Sequence, residues 1–161
     1  MFKKSSAIKL TGLFFLLMSG SALANSNEAL LEIIKTLETT YQARAFGVEA
    51  EKYKGYDVYE IETLRNGQFY ETYIDPQSGQ IIADEKEDTV FWKPLDDEEK
   101  KALLNSKISL SKALVKVSDK NKLPIQQIVF KVKNEEGYFK ITFEGGSEYL
   151  ISTNFGHADE N

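Results

Sequence analysis

The sequence predicts an α+β protein of two similar units, each a helix packed on a three-stranded antiparallel sheet. Three observations predict it. Two segments carry apolar residues at three- and four-residue spacing. Each is followed by runs that alternate with period two. Glycine-bearing reversals separate those runs at matching places in the two halves. A helix with one apolar stripe needs a partner for that stripe, and a half-covered sheet supplies it.

Residues 1–24, MFKKSSAIKLTGLFFLLMSGSALA, precede the first unit. Lys3, Lys4 and Lys9 make a basic start, Leu10 through Met18 a mostly apolar stretch, and Ala22-Leu23-Ala24 a small-residue cleavage site. This is the pattern of a signal peptide, and its apolar stretch is about half the roughly 20 residues a spanning helix needs. It predicts cleavage near Ala24-Asn25 and export to a bacterial periplasm, or release to the medium, with no stable membrane anchor. The chain has no cysteine, which excludes disulfides, thiol chemistry and lipid attachment through an N-terminal cysteine. An oxidising compartment permits disulfides without requiring them.

Cleavage removes three of the 20 basic groups and none of the 25 acidic ones, so the mature chain carries 17 minus 25, or −8. Nucleic-acid binding is largely neutralisation of phosphate, and an acidic chain without a basic stripe is repelled by it. Anionic membrane surfaces are disfavoured on the same ground.

The first unit spans residues 25–83. Leu30, Ile33, Ile34, Leu37 and Tyr41 share one helical face over Asn25–Gly47, with Ser26 or Asn27 as cap and Gly47 as stop. From Tyr56 the period changes to two. Asn66-Gly67 forms a hairpin reversal, because both residues tolerate positive φ. Asp75-Pro76-Gln77-Ser78-Gly79 is a second turn: Pro76 presets φ, Gly79 accepts a left-handed geometry, and Asp75 accepts bonds from the following amides. A short strand then runs to Ala83. Residues 84–106 form an acidic connector with a short helix, capped by Asp96 or Asp97 with Glu99 in reciprocal contact.

The second unit spans residues 107–153. Leu110, Ala113, Leu114 and Val117 trace a helical stripe after the cap Ser109. Strands follow over Ile125–Lys133, Tyr138–Glu144 and Glu148–Ser152, with turns at Asn134–Gly137 and Gly145-Gly146. Gly137 stands in the place of Gly67. Residues 154–161 are a polar tail.

The search for reactive chemistry is negative. His157 is the only histidine and lies in the tail, where no metal set or hydrolase triad can be assembled around it. Glu60 and Glu62 share one strand face, with Glu71 able to stand across from them. Paired carboxylates can serve acid–base work, but they equally make the wet face of a half-covered sheet. Asp84–Asp88 lacks the ordered spacing and glycine of a calcium loop. The sequence therefore predicts a non-enzyme with no cofactor and no metal.

The run Tyr59-Glu60-Ile61-Glu62, then Gly67, then Tyr70-Glu71-Thr72-Tyr73-Ile74-Asp75-Pro76-Gln77-Ser78-Gly79-Gln80-Ile81-Ile82 resembles the strand–turn–strand signature of the PepSY family. Ile108-Ser109-Leu110-Ser111-Lys112-Ala113-Leu114 is similar to the helix opening of the same family, so the likeness reads as a tandem copy with a less faithful second unit. The resemblance implies a small extracytoplasmic binding or regulatory module, related to propeptides of secreted metallopeptidases and proposed to inhibit peptidases. No catalytic residue comes with it. Tyr56, Tyr59, Tyr70, Tyr73 and Trp92 are the candidate contact residues, since aromatics with polar ends suit protein interfaces. The expected partner is a periplasmic protein or peptide, bound on this aromatic face or along a strand edge. The second reading is a carrier of a small ligand or cation at Asp75 and Asp84–Asp88.

Overall fold

The computed structural model describes residues 26–88, 93–156 and 158–160. The leader, Trp92 and His157 lie outside the described residues. Eleven elements run in the order α1 (Ser26–Thr40), β1 (Arg44–Tyr53), β2 (Tyr56–Arg65), β3 (Gln68–Ile74), β4 (Ile81–Lys86), α2 (Asp97–Asn105), α3 (Leu110–Ser118), β5 (Ile125–Lys133), β6 (Glu136–Phe143), β7 (Glu148–Ser152) and β8 (Ala158–Glu160).

The two separate helix-plus-three-strand units expected from the sequence are not what forms. All eight strands make one antiparallel sheet in the order β4-β3-β2-β1-β5-β6-β7-β8. The cause is β1, a strand where the sequence reading placed the end of the first helix. β1 pairs with β2 on one side and with β5 on the other, through Gly47↔Val129, Val48↔Ile128 and Glu49↔Gln127. Two units with free edges at β1 and β5 would expose rows of unpaired amides and carbonyls, and joining them removes both edges.

Alternate residues of the strands meet α1 and α3, which also pack on each other. Leu30, Ile34 and Leu37 of α1 and Leu110, Ala113, Leu114 and Val117 of α3 share one cluster with Val48, Ile61, Ile128, Phe130, Phe139, Ile141 and Ile151. Burying one such aliphatic side chain contributes about 1.5–3 kcal/mol, so this layer spanning both halves holds them together. The Asn27 side chain donates to the Leu123 carbonyl (2.8 Å) and accepts from the Ile125 amide (3.0 Å), tying the start of α1 to the second half. Glu38 of α1 accepts from both the amide and the hydroxyl of Ser111 at the start of α3. It satisfies one of the first amides of α3, where the Ser109 side chain makes no capping bond.

α2 opens with the expected capping box. The Asp96 carboxylate accepts from the Glu99 amide (2.8 Å), and Glu99 accepts from the Asp96 amide (3.0 Å). Leu103 is buried against β1, β5 and β6 contacts of this helix. Among the described residues no helix is long and apolar enough to cross a membrane.

Candidate functional site

Period two in β2 turns Tyr59, Ile61 and Thr63 toward the helices and leaves Glu60 and Glu62 on the opposite, outer face. Register decides what stands beside them. Glu60 pairs with Glu49 of β1 and Tyr73 of β3; Glu62 pairs with Glu71, which pairs with Glu85 of β4. Two rows of carboxylates thus cross four strands, with Glu51 and Glu87 extending them. Like charges directly opposite one another destabilise a sheet. Among the described residues, none of these seven glutamates forms an ion pair with a lysine or arginine.

Two tyrosines tie the rows together. The Tyr73 hydroxyl donates to Glu71 (2.6 Å) and the Tyr53 hydroxyl to Glu85 (2.7 Å), while their rings stack at 4.2 Å between centroids. Burial, with the Glu71 and Glu51 charges next to it, pushes the Glu60 carboxyl up to about 8. Burial and the charges of Glu71 and Glu49 raise Glu62 to about 7. A hydrogen bond shared with Glu71, then burial, raises Glu87 to about 7. The Tyr73 phenol is held neutral by burial and by the glutamates it faces. Glu62 folds over Gly47, where any Cβ would collide with its carboxylate. That close approach is why a residue without a side chain stands there.

The helix-facing side of the same strands carries a different arrangement. Arg65, only 6% exposed, donates to both oxygens of Asp84 (2.8 and 2.9 Å), to Thr63 (2.9 Å) and to Thr72 (2.6 Å), and Thr72 donates to Asp84 (2.7 Å). The rings of Tyr41 and Tyr70 lie 5.0 and 4.6 Å from the guanidinium. This two-toothed, ring-flanked geometry is one that arginine makes and lysine does not. It fastens β4 to the sheet, since β4 is otherwise exposed along most of its length, including Ile81 and Ile82.

β4 is also a sheet edge among the described residues. The Glu87 amide donates to the Phe69 carbonyl, which makes Glu71↔Glu85 a hydrogen-bonded pair and turns the backbone groups of Asp84 and Lys86 outward.

The tyrosines singled out from the sequence separate. Tyr73 lies on the acidic face. Tyr56 is 72% exposed at the tip of the β1–β2 hairpin. Tyr59 is buried and donates to the Ile125 carbonyl (3.0 Å) across the join of the two halves, and Tyr70 packs against Arg65. Trp92 is outside the described residues. Asn66 and Gly67 form their turn with φ of 48° and 78°. Asp75 accepts from the Gln77 and Ser78 amides and the Ser78 hydroxyl, which holds its carboxyl below the ordinary range, and Pro76 and Gly79 sit in the loop it closes. Gly145 and Gly146 turn between β6 and β7. Gly137 is a correction: Asn134 and Glu135 make that turn, and Gly137 lies inside β6, where a Cβ would stand 2.7 Å from the Phe130 ring.

The sequence reading passed over Arg65 and Glu49, and weighed Asp84 and Glu85 only as part of a cation site. Lys54-Gly55 was the signal that could have found Glu49, because its positive φ values close a tight β1–β2 hairpin that sets Glu49 across from Glu60. The acidic positions considered for a cation are already engaged: Asp84 by Arg65, Asp75 by its own turn, Glu85 by Tyr53. Among the described residues no group of three or more metal-ligating side chains is placed to hold an ion.

Residues 29–85 match one PepSY domain, described as "Peptidase propeptide and YPEB domain", and PepSY domains are non-catalytic modules. The match covers α1 through β4 and does not extend to a second copy. Among curated proteins, none matches the chain. A crystal structure of a "putative lipoprotein" from Clostridium difficile 630 is similar at 15% identity and a TM-score of 0.41, over 90% of this chain and 98% of that one.

Proposed function

We propose that the mature chain is an exported, non-catalytic module that binds a cationic segment of a protein or peptide across the outer face of β1–β4 and along the β4 edge. One observation carries this reading: two cross-strand rows of glutamates, partly desolvated, none of them ion-paired with a lysine or arginine among the described residues. A lysine- or arginine-bearing strand would relieve that repulsion, and the outward backbone groups of β4 would accept it as an added strand. Tyr56 and Tyr73 are the aromatic contacts of this surface, while Tyr59 and Tyr70 serve packing.

The leader read from residues 1–24 supports cleavage before Asn25 and a periplasmic destination. The matched family's description makes an exported peptidase the first partner class to test. The second half, residues 107–153, is proposed as a diverged copy of residues 25–83 on the strength of its mirrored strand order; the expected connector at 84–106 and tail at 154–161 are corrected, since β4 runs on to Lys86 and β8 (Ala158–Glu160) pairs with β7.

The test is calorimetric titration of the mature chain with a lysine-rich peptide, followed by peptidase assays in its presence. Saturable binding is expected that weakens as salt is raised and weakens again in Glu62→Gln, because surface attraction is screened over roughly 8–10 Å at physiological ionic strength. Absence of binding at low salt, or binding indifferent to both salt and Glu62, would overturn the reading.

A further inference from the structure

We propose that β4 is a proton-gated edge strand, seated on β3 while the carboxylates of the outer face hold protons and released from it as they ionise. The two sides of β4 pull in opposite directions. On the helix side, Asp84 is gripped by Arg65 and Thr72. On the outer side, Glu85 stands across from Glu71, and Glu87 follows on the same face, its carboxyl raised chiefly by its interaction with Glu71. Beyond the Tyr53 hydroxyl, which donates to Glu85 (2.7 Å), little else holds the strand, because its apolar residues Ile81 and Ile82 remain substantially exposed.

The groups facing this cluster are known from each neighbouring strand. β1 contributes Glu49, Glu51 and Tyr53; β2 contributes Glu60 and Glu62; β3 contributes Glu71 and Tyr73. Lys54, at the hairpin tip, lies over the Tyr53 ring, and Lys100 of α2 lies over Phe69; neither is paired to these glutamates. On the β5 side, Gln127 is uncharged and Lys140 is taken by Glu148 at 2.6 Å. Lys54 acts on Glu85 only at a distance, and among the described residues no lysine or arginine is ion-paired with Glu60, Glu62 or Glu87 to offset the charge that appears when they ionise.

The sign follows from linkage. These carboxyls bind protons more tightly in the folded sheet than in a free chain, so their seating is complete at pH below the ordinary carboxylate range and is lost as pH rises through about 7 to about 8. The Arg65–Asp84 grip sets how far β4 opens rather than when.

Amide hydrogen exchange on the mature chain, corrected for the intrinsic rate at each pH, tests this. Protection at Ala83, Glu85 and Glu87 is expected to fall about tenfold or more between about pH 6 and about pH 9, corresponding to a shift of one unit or more in linked pKa. The β5–β6 ladder should stay constant. Glu71→Gln, which keeps an acceptor for Tyr73, removes a charge that raises Glu60, Glu62 and Glu87, so it should shrink the loss and shift it to lower pH, or abolish it. Asp84→Asn should lower β4 protection at every pH while leaving the slope. β4 protection that is flat with pH, that falls in step with β5–β6, or that is unchanged by Glu71→Gln would each overturn the proposal. No partner is involved, so this outcome is separate from that of the binding test.

Discussion

The two halves of the sheet share an order of elements and differ in how they treat charge. In the first half, β1–β4 set glutamate against glutamate on the outer face, and a buried arginine secures the edge strand from the other side. In the second, Lys140 pairs with Glu148 at 2.6 Å, and Glu136 accepts from Tyr138 and Ser152, which draws its carboxyl below the ordinary range. The second half is internally compensated and the first is not. A sheet can be built either way, so the uncompensated arrangement is where a function is to be sought.

The strongest way to break the comparison is at the join. Ile128, fully buried opposite Val48, belongs to the layer that both halves share. Ile128→Ala is expected to cost about 2–5 kcal/mol and to lower the stability of both halves in one thermal transition. Two resolved transitions would mean that the halves are independent units.

Next comes the contrast between the two ion pairs. Asp84→Ala strands a buried guanidinium and should cost about 3 kcal/mol, measured by urea denaturation. Glu148→Ala breaks a pair that is one-third exposed and should cost less than about 1 kcal/mol. Gly137→Ala forces a Cβ against the Phe130 ring and Thr153, with an expected loss of about 1–3 kcal/mol; the same change at exposed Gly55 would be felt only through its positive φ. Smallest in stability is Tyr56→Ala, within about 0.5 kcal/mol. It should nonetheless weaken lysine-rich peptide binding in the titration that tests the outer face, whereas Tyr138→Ala on the second half should not.

Where alternation was regular, the elements could be read directly. β5, β7 and the buried stripe of α3 fall where the pattern put them, and the capping box of α2 follows from Asp96 and Glu99. β1 could not be read that way. Its residues include Arg44, Ala45, Glu49, Ala50, Glu51 and Lys52, which favour helices in isolation. A bulge between Ala45 and Gly47 also breaks its period of two, so four successive residues are buried. Missing that strand hid both the join with β5 and the partner of Glu60. The candidate face was legible only in part: Glu60, Glu62 and Glu71 were visible as one wet surface, but not that Glu49, Glu85 and Glu87 would complete it.

By itself the sequence determined the apolar stripes, the turns at Asn66-Gly67 and Asp75–Gly79, and the lack of any nucleophile with a base, because these depend on residues near one another along the chain. Only the tertiary structure decided that two halves share one sheet, that Arg65 reaches Asp84, and that glutamates from four strands stand in rows. Each of those rests on register between segments distant in sequence, and register is set by which buried faces must coincide once the strands are paired.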